Sequence, residues 1–268
     1  MAPRPSRACP GTVGRVSTTI VTTERGGPVA TIALNDPERR NALGPALLDA
    51  LGNALEAAIA DPVVRVIVLT HTGPVFSAGA DLKAGGLAPG RWTLERVLAI
   101  IQDASTPIVA RLDGHAFGGG LGLAAACDIS IASTDARFGF TEVRVGVVPA
   151  IISVVCLPKL SRSDALELFL EGERIDAERA AAAGLLTRAV TPENLDAEVR
   201  RHISALLRGG PMAIGIAKRL VLGLPQIDRA EALERMAALS REVFASSEAQ
   251  EGMAAFRERR LPTWCVDP

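Results

Sequence analysis

What is scarce in this 268-residue chain narrows its function before any motif is considered. Tyrosine is absent and aromatic residues make up only 3% of the sequence, so stacking platforms for single-stranded nucleic acid have little to be built from. Lys and Arg (29) nearly cancel Asp and Glu (30), leaving a formal net charge of −1 and no broad field to attract nucleic acid or an acidic membrane. The four cysteines, at 9, 127, 156 and 265, contain no C-x-x-C pair. That spacing favours neither a zinc site nor a disulfide framework and points to a reducing compartment, the cytoplasm. Three histidines, at 71, 115 and 202, are too dispersed to suggest metal chemistry. No apolar run reaches the length of a membrane span.

What is present suits a small-molecule protein. At 48% hydrophobic residues, a chain of this length forms at most about two domains and buries about three quarters of its unfolded surface without metal or disulfide support. Residues 1–15 hold Arg4, Arg7 and Arg15 and no acid, the composition of a transit peptide, but Pro3, Pro5 and Pro10 break the helix such a peptide needs. A disordered leader is the expectation. From Val16, strand patterns (16–23 and 29–35, joined at Gly26-Gly27-Pro28) precede a helical spacing of Leu47, Leu48, Leu51, Leu55 and Ile59. Buried-type strands at 64–70, 108–112 and 129–132 alternate with helices at 94–103 and 120–126, an α/β pattern. Beyond Leu157 helical periods dominate, with only 186–190 extended, and no internal repeat is visible.

Three glycine-rich segments bring backbone close to a possible ligand. Ser77-Ala78-Gly79-Ala80-Asp81-Leu82-Lys83 follows a buried strand, and its N–H groups can face an anion, or it is simply a tight turn with Asp81 as a helix cap. Asp113 to Leu123 carries Gly118-Gly119-Gly120 at a helix start, where free N–H donors meet the positive end of the dipole. Leu123 defeats a dinucleotide fingerprint, and the chain has no Gly-Lys pair for a P-loop. His115 lacks an acidic neighbour and reads as structural. In Phe138 to Pro149, Glu142 stands in an apolar setting that disfavours its charge, either as a proton carrier or as an ion-pair partner of Arg144.

In this order and spacing, these segments resemble the crotonase family, the enoyl-CoA hydratase/isomerase superfamily. The match begins at Arg40-Asn41-Ala42-Leu43, includes 76–83, 113–128, 136–150 and 172–186, and ends in the tail 251–260. The resemblance implies an α/β fold of stacked ββα units forming a spiral over 16–200. A helical C-terminal region, 201–268, would pack subunits into a homotrimer or a dimer of trimers. It implies an acyl-CoA thioester substrate, with no cofactor, metal, nucleic acid or membrane. It assigns Ala80 and Gly119 as backbone donors to the thioester oxygen and Glu142 as the acid/base. Arg39, Arg40, Ala78, Asp81, Leu82 and Lys83 would bind CoA, as would Phe256 and Arg259, often from a neighbouring subunit.

One position departs from the family. Two-carboxylate hydratases carry a second Glu where this chain has Gly122. The expectation is an enoyl-CoA hydratase adding water syn to a trans-2-enoyl-CoA. The alternatives are a Δ3-Δ2-enoyl-CoA isomerase with Glu142 as sole proton shuttle, and a non-catalytic acyl-CoA-binding scaffold. Phe117, Phe138, Phe140, Ile151 and Ile152 are candidates for an apolar acyl tunnel, with core packing the plainer role for most of them.

Overall fold

The computed structural model describes residues 19–81, 90–224 and 227–265; the expected leader lies outside them. The chain opens with a hairpin, β1 (Val21–Gly26) and β2 (Val29–Leu34), closed by Gly27 at φ +57°. α1 (Pro45–Ala60) starts on a proline, whose missing N–H costs nothing there, and buries Leu47, Leu48, Leu51 and Leu55 on one face. There follow β3 (Val66–His71), β4 (Val75–Ser77), α2 (Leu94–Asp103), β5 (Ile108–Leu112), β6 (His115–Phe117), α3 (Gly119–Ala126), β7 (Ile129–Ser133) and β8 (Arg137–Gly139). α4 (Ala150–Cys156), α5 (Arg162–Glu171), β9 (Ile175–Asp176), α6 (Ala177–Ala182) and β10 (Arg188–Val190) lead to four long helices. These are α7 (Pro192–Arg208), α8 (Pro211–Gly223), α9 (Arg229–Ala245) and α10 (Ser247–Glu258).

Two sheets share these strands. The larger has the order β1-β2-β3-β5-β7-β10, parallel from β2 onward; the smaller has the order β4-β6-β8-β9, with β9 antiparallel to β8. Three times, at β3–β4, β5–β6 and β7–β8, the chain leaves a strand of the large sheet, turns, and adds a three-residue strand to the small one before a helix. This is the stacked ββα spiral that the resemblance implied. The repeat is spatial and escaped the residue pattern, because three residues are too few to show a period.

Alternation along β3 divides the interior. Ile67 and Leu69 face the main core with α1, α2 and α3, whereas Val66 and Val68 meet Leu195, Val199, Ile203 and Leu207 of α7. α3 is buried on all sides, consistent with its unbroken run of Gly, Leu and Ala. α7 passes through residues 200 and 201, so this run of C-terminal helices starts at Pro192.

Lys218 of α8 reaches inward to the Ile101 carbonyl (2.7 Å) and Asp128 (2.9 Å). Asp128 in turn accepts from the Ile108 N–H at 2.7 Å, and burial pushes its carboxyl pKa up against the opposing pull of Lys218. α10 folds back so that Glu248 caps α8 through the Met212 and Ala213 N–H groups, both at 2.9 Å. α9 buries none of its residues. No helix among the described residues is long and apolar enough to cross a membrane.

Candidate active site

The small sheet ends in a cavity of about 700 Å³. β4 delivers Ala78–Ala80 to its wall, β6 delivers Gly118 and Gly119, and β8 delivers Thr141 and Glu142. Gly79, at φ +86°, lies so near the next segment that a Cβ there would stand 2.9 Å from the Phe117 oxygen and 3.3 Å from the Gly119 nitrogen. Only glycine permits both that backbone and that approach. The Ala78–Ala80 strap is held from behind. The Ala78 N–H donates to the Arg40 carbonyl (3.0 Å), the Leu43 N–H to the Gly79 carbonyl (2.8 Å), and the Gly79 N–H to Ser77 Oγ (3.2 Å).

Ser77 Oγ donates to the Asn41 carbonyl at 2.8 Å, and both residues are fully buried. The Asn41 side chain donates to the Thr72 (3.2 Å) and Val75 (2.7 Å) carbonyls and accepts from the Asp36 N–H (2.8 Å). Asn41 itself sits at φ +50°, a left-handed conformation that Asn tolerates better than most residues. Gly119 opens α3, so its N–H has no acceptor within the helix and stands at the positive end of the dipole.

Glu142 lies in the single-turn helix Thr141–Val145, with its carboxylate against Gly118: a Cβ on that glycine would stand 2.7 Å from Oε1. Oε2 is buried without a hydrogen-bond partner among the described residues. Burial pushes the Glu142 pKa above its ordinary value, only partly opposed by its own backbone N–H. The alternative of an ion pair with Arg144 is not realised. Arg144 pairs with Glu173 and donates to the Glu171 carbonyl at 3.2 Å.

Gly122 is buried, and the space beside it is taken: a Cβ there would stand 2.7 Å from Ile152 Cβ and closer still to Ile152 Cγ2. Ile152, 2% exposed, comes from α4 and also lines the cavity. The place of a second carboxylate is thus filled by an aliphatic side chain.

Of the residues expected from the sequence, Ala78, Ala80, Gly119 and Glu142 meet at this cavity. Asp81 follows Ala80 but is not part of the wall, its carboxylate lying near Gly44, and Leu82 and Lys83 lie outside the described residues. Arg39 and Arg40 are exposed and do not line the wall, although the Arg40 backbone supports Ala78. Phe256, 85% exposed, and Arg259, which ends α10 at φ +54°, do not reach the cavity of their own chain because α10 is tied to α8. His115 is structural as expected, its Nδ1 accepting from the Arg137 N–H at 3.1 Å. Phe138 and Phe140 are core residues, whereas Ile151 and Ile152 line the cavity. Sequence reasoning did not single out Leu94, Val147, Val148 or Arg174, which also form the wall. Nor did it see that Asn41 ties Asp36, Thr72, Val75 and Ser77 together, because its burial and left-handed backbone are set by the fold and leave no residue pattern.

The enoyl-CoA hydratase/isomerase family model matches residues 24–266. The chain belongs to this family. A Rhizobium meliloti protein named "probable enoyl-CoA hydratase" is 35% identical over 248 residues, spanning 88% of this chain and 94% of its own. The crystal structure of an enoyl-CoA hydratase from Mycobacterium avium is 41% identical with a TM-score of 0.70, covering 92% of this chain and 99% of that one. An enoyl-CoA hydratase structure from Mycobacterium smegmatis is 31% identical with a TM-score of 0.85, covering 92% and 99%. As a family member this chain keeps the spiral and both backbone segments; of the two carboxylates on its cavity wall, Glu173 is paired with Arg144 and Glu142 is not.

Proposed function

We propose that this protein is an enoyl-CoA hydratase in which one carboxylate performs both proton transfers. The thioester oxygen accepts from the Ala80 and Gly119 N–H groups, fixed dipoles that need no reorganisation as charge develops. Ionised Glu142 takes a proton from water as the water oxygen bonds to C3. The electron pair of the C2–C3 double bond shifts toward the thioester and forms an enolate. Protonated Glu142 then delivers the proton to C2. Because the same group serves the same face of the substrate twice, addition is syn.

The observation that carries this reading is the buried, partly unpaired Glu142 carboxylate against Gly118. Asp81, Leu82, Lys83, Arg39 and Arg40 are assigned to CoA, and no cofactor takes part. A homotrimer or dimer of trimers is supported by α9 and α10, which expose Leu233 (64%), Phe244 (63%) and Phe256 (85%); from there Phe256 and Arg259 would serve a neighbour's CoA. Unpaired Cys127 and Cys156 support a reducing, cytoplasmic setting.

The test follows the ultraviolet absorbance of a short trans-2-enoyl-CoA in water. Absorbance falls, 3-hydroxyacyl-CoA accumulates, and Glu142→Gln slows turnover by about 10²–10⁴-fold. Turnover within a few-fold of wild type in Glu142→Gln defeats the mechanism. Steady absorbance with this ester, together with a rise from a trans-3-enoyl-CoA, makes the protein an isomerase instead.

A further inference from the structure

The small sheet sets the order of the loops around the cavity. β4 leads into Ala78–Ala80, β6 into Gly118–Gly119 and β8 into Thr141–Glu142, while antiparallel β9 is approached through Gly172–Arg174 at the same end. Strands β4-β6-β8-β9 lie side by side at about 4.8 Å spacing, so Arg174 enters from the edge farthest from the strap assigned to CoA. Given the hydratase reading, which places the thioester between the first two loops, the acyl tail runs toward this third and fourth loop.

Arg174 differs from the other charged residues of that wall. Arg144 is neutralised by Glu173, and Glu142 is assigned to chemistry. Arg174 has no carboxylate partner among the described residues and is held instead over the Phe117 ring, with Cζ 4.8 Å from the centroid. An aromatic platform orients a guanidinium without using up its donors, which remain a planar fork suited to a carboxylate. The facing wall (Val145, Val147, Val148, Ile151 and Ile152) is apolar and offers a charged tail nothing. From this arrangement we infer that the protein acts on enoyl-CoA esters whose short acyl chain ends in a carboxylate, and that Arg174 is the residue that recognises it.

Calorimetric titration of the full-length protein with adipyl-CoA and hexanoyl-CoA, and with glutaryl-CoA and pentanoyl-CoA, tests this without turnover. In at least one matched pair the carboxyacyl ester binds wild type about tenfold or more tightly than its partner, and Arg174→Gln removes that preference while hexanoyl-CoA affinity stays within about threefold. Two results overturn the inference: no preference in wild type for either carboxyacyl ester, or an equal loss on both members of a pair, which would assign Arg174 to CoA itself. Hydration of trans-2-hexenoyl-CoA and of its counterpart with a terminal carboxylate is scored separately, and turnover of either counts as hydration. Preference without hydration retains the subsite and defeats the hydratase reading; hydration without preference does the reverse.

Discussion

The contact between Gly122 and Ile152 makes a quantitative demand on the fold. Gly122→Ala adds one methyl group where Ile152 Cβ would lie at 2.7 Å and Cγ2 nearer, well inside van der Waals contact. α3 is enclosed on all sides and cannot retreat, so α4 must move or Ile152 must leave its rotamer. Overpacking of this kind costs about 1–3 kcal/mol. For a domain of this size, that is a fall in melting temperature of about 3 °C per kcal/mol, or about 3–9 °C.

The decisive assay is a double-mutant cycle by thermal melting. Ile152→Ala alone removes buried methyl groups and costs about 2–5 kcal/mol. In the double variant the new methyl at 122 occupies part of the space vacated by Ile152, so the combined loss falls short of the sum by about 1 kcal/mol or more. Additivity to within about 0.5 kcal/mol refutes the argument that Ile152 is what keeps position 122 a glycine. The same reasoning says that Gly122→Glu by itself cannot install a second working carboxylate.

Three further outcomes follow from the geometry. Burial raises the folded pKa of Glu142 above its ordinary 4.5, so between those two values the folded state binds more protons and stability falls as pH rises through the window. Glu142→Gln therefore melts higher than wild type at neutral pH, an advantage that fades on acidification, while the acid limb of wild-type kcat/KM lies above the usual carboxylate range. Asn41→Asp keeps the shape but turns a carboxylate toward the Thr72 and Val75 carbonyls; it costs at least about 2–3 kcal/mol by melting and lowers kcat as the Ala78–Ala80 strap loosens. Lys218→Met strands Asp128 in the interior and costs about 3–5 kcal/mol, and Lys218→Met with Asp128→Asn recovers part of it because Asn can still accept from the Ile108 N–H.

Legibility varied with the range of the interaction. α2 and β5 were readable to the residue, since Leu94, Val97, Leu98 and Ile101 form a clear stripe and Thr106-Pro107 separates it from the β-branched run that follows. α4 was not readable. Ala150-Ile151-Ile152-Ser153-Val154-Val155-Cys156 has the composition of a strand, and its helical state is decided by packing against α3. Glu142 was legible as a carboxylate among apolar neighbours, but the choice between proton carrier and ion pair depended on Glu173, thirty-one positions away, claiming Arg144. Arg174 drew no attention because its aromatic partner, Phe117, belongs to another strand.

The same division runs through the site. On the proposed mechanism, groups that must stay fixed are carried by backbone: the Ala78–Ala80 strap is bound to its neighbours through Arg40, Leu43, Ser77 and Asn41, and Gly118, beside Gly119, donates to the Gly139 carbonyl at 2.9 Å. The group proposed to change charge is a side chain, Glu142, whose Oε2 has no protein hydrogen-bond partner among the described residues. Hydrogen-bonding Glu142 into that network would stabilise the fold but would lower its pKa and hold its proton state fixed. On the proposed mechanism, a site that moves one proton twice needs rigid donors beside an uncommitted acid, and Ile152, packed beside Gly122, presents no polar group that could engage it.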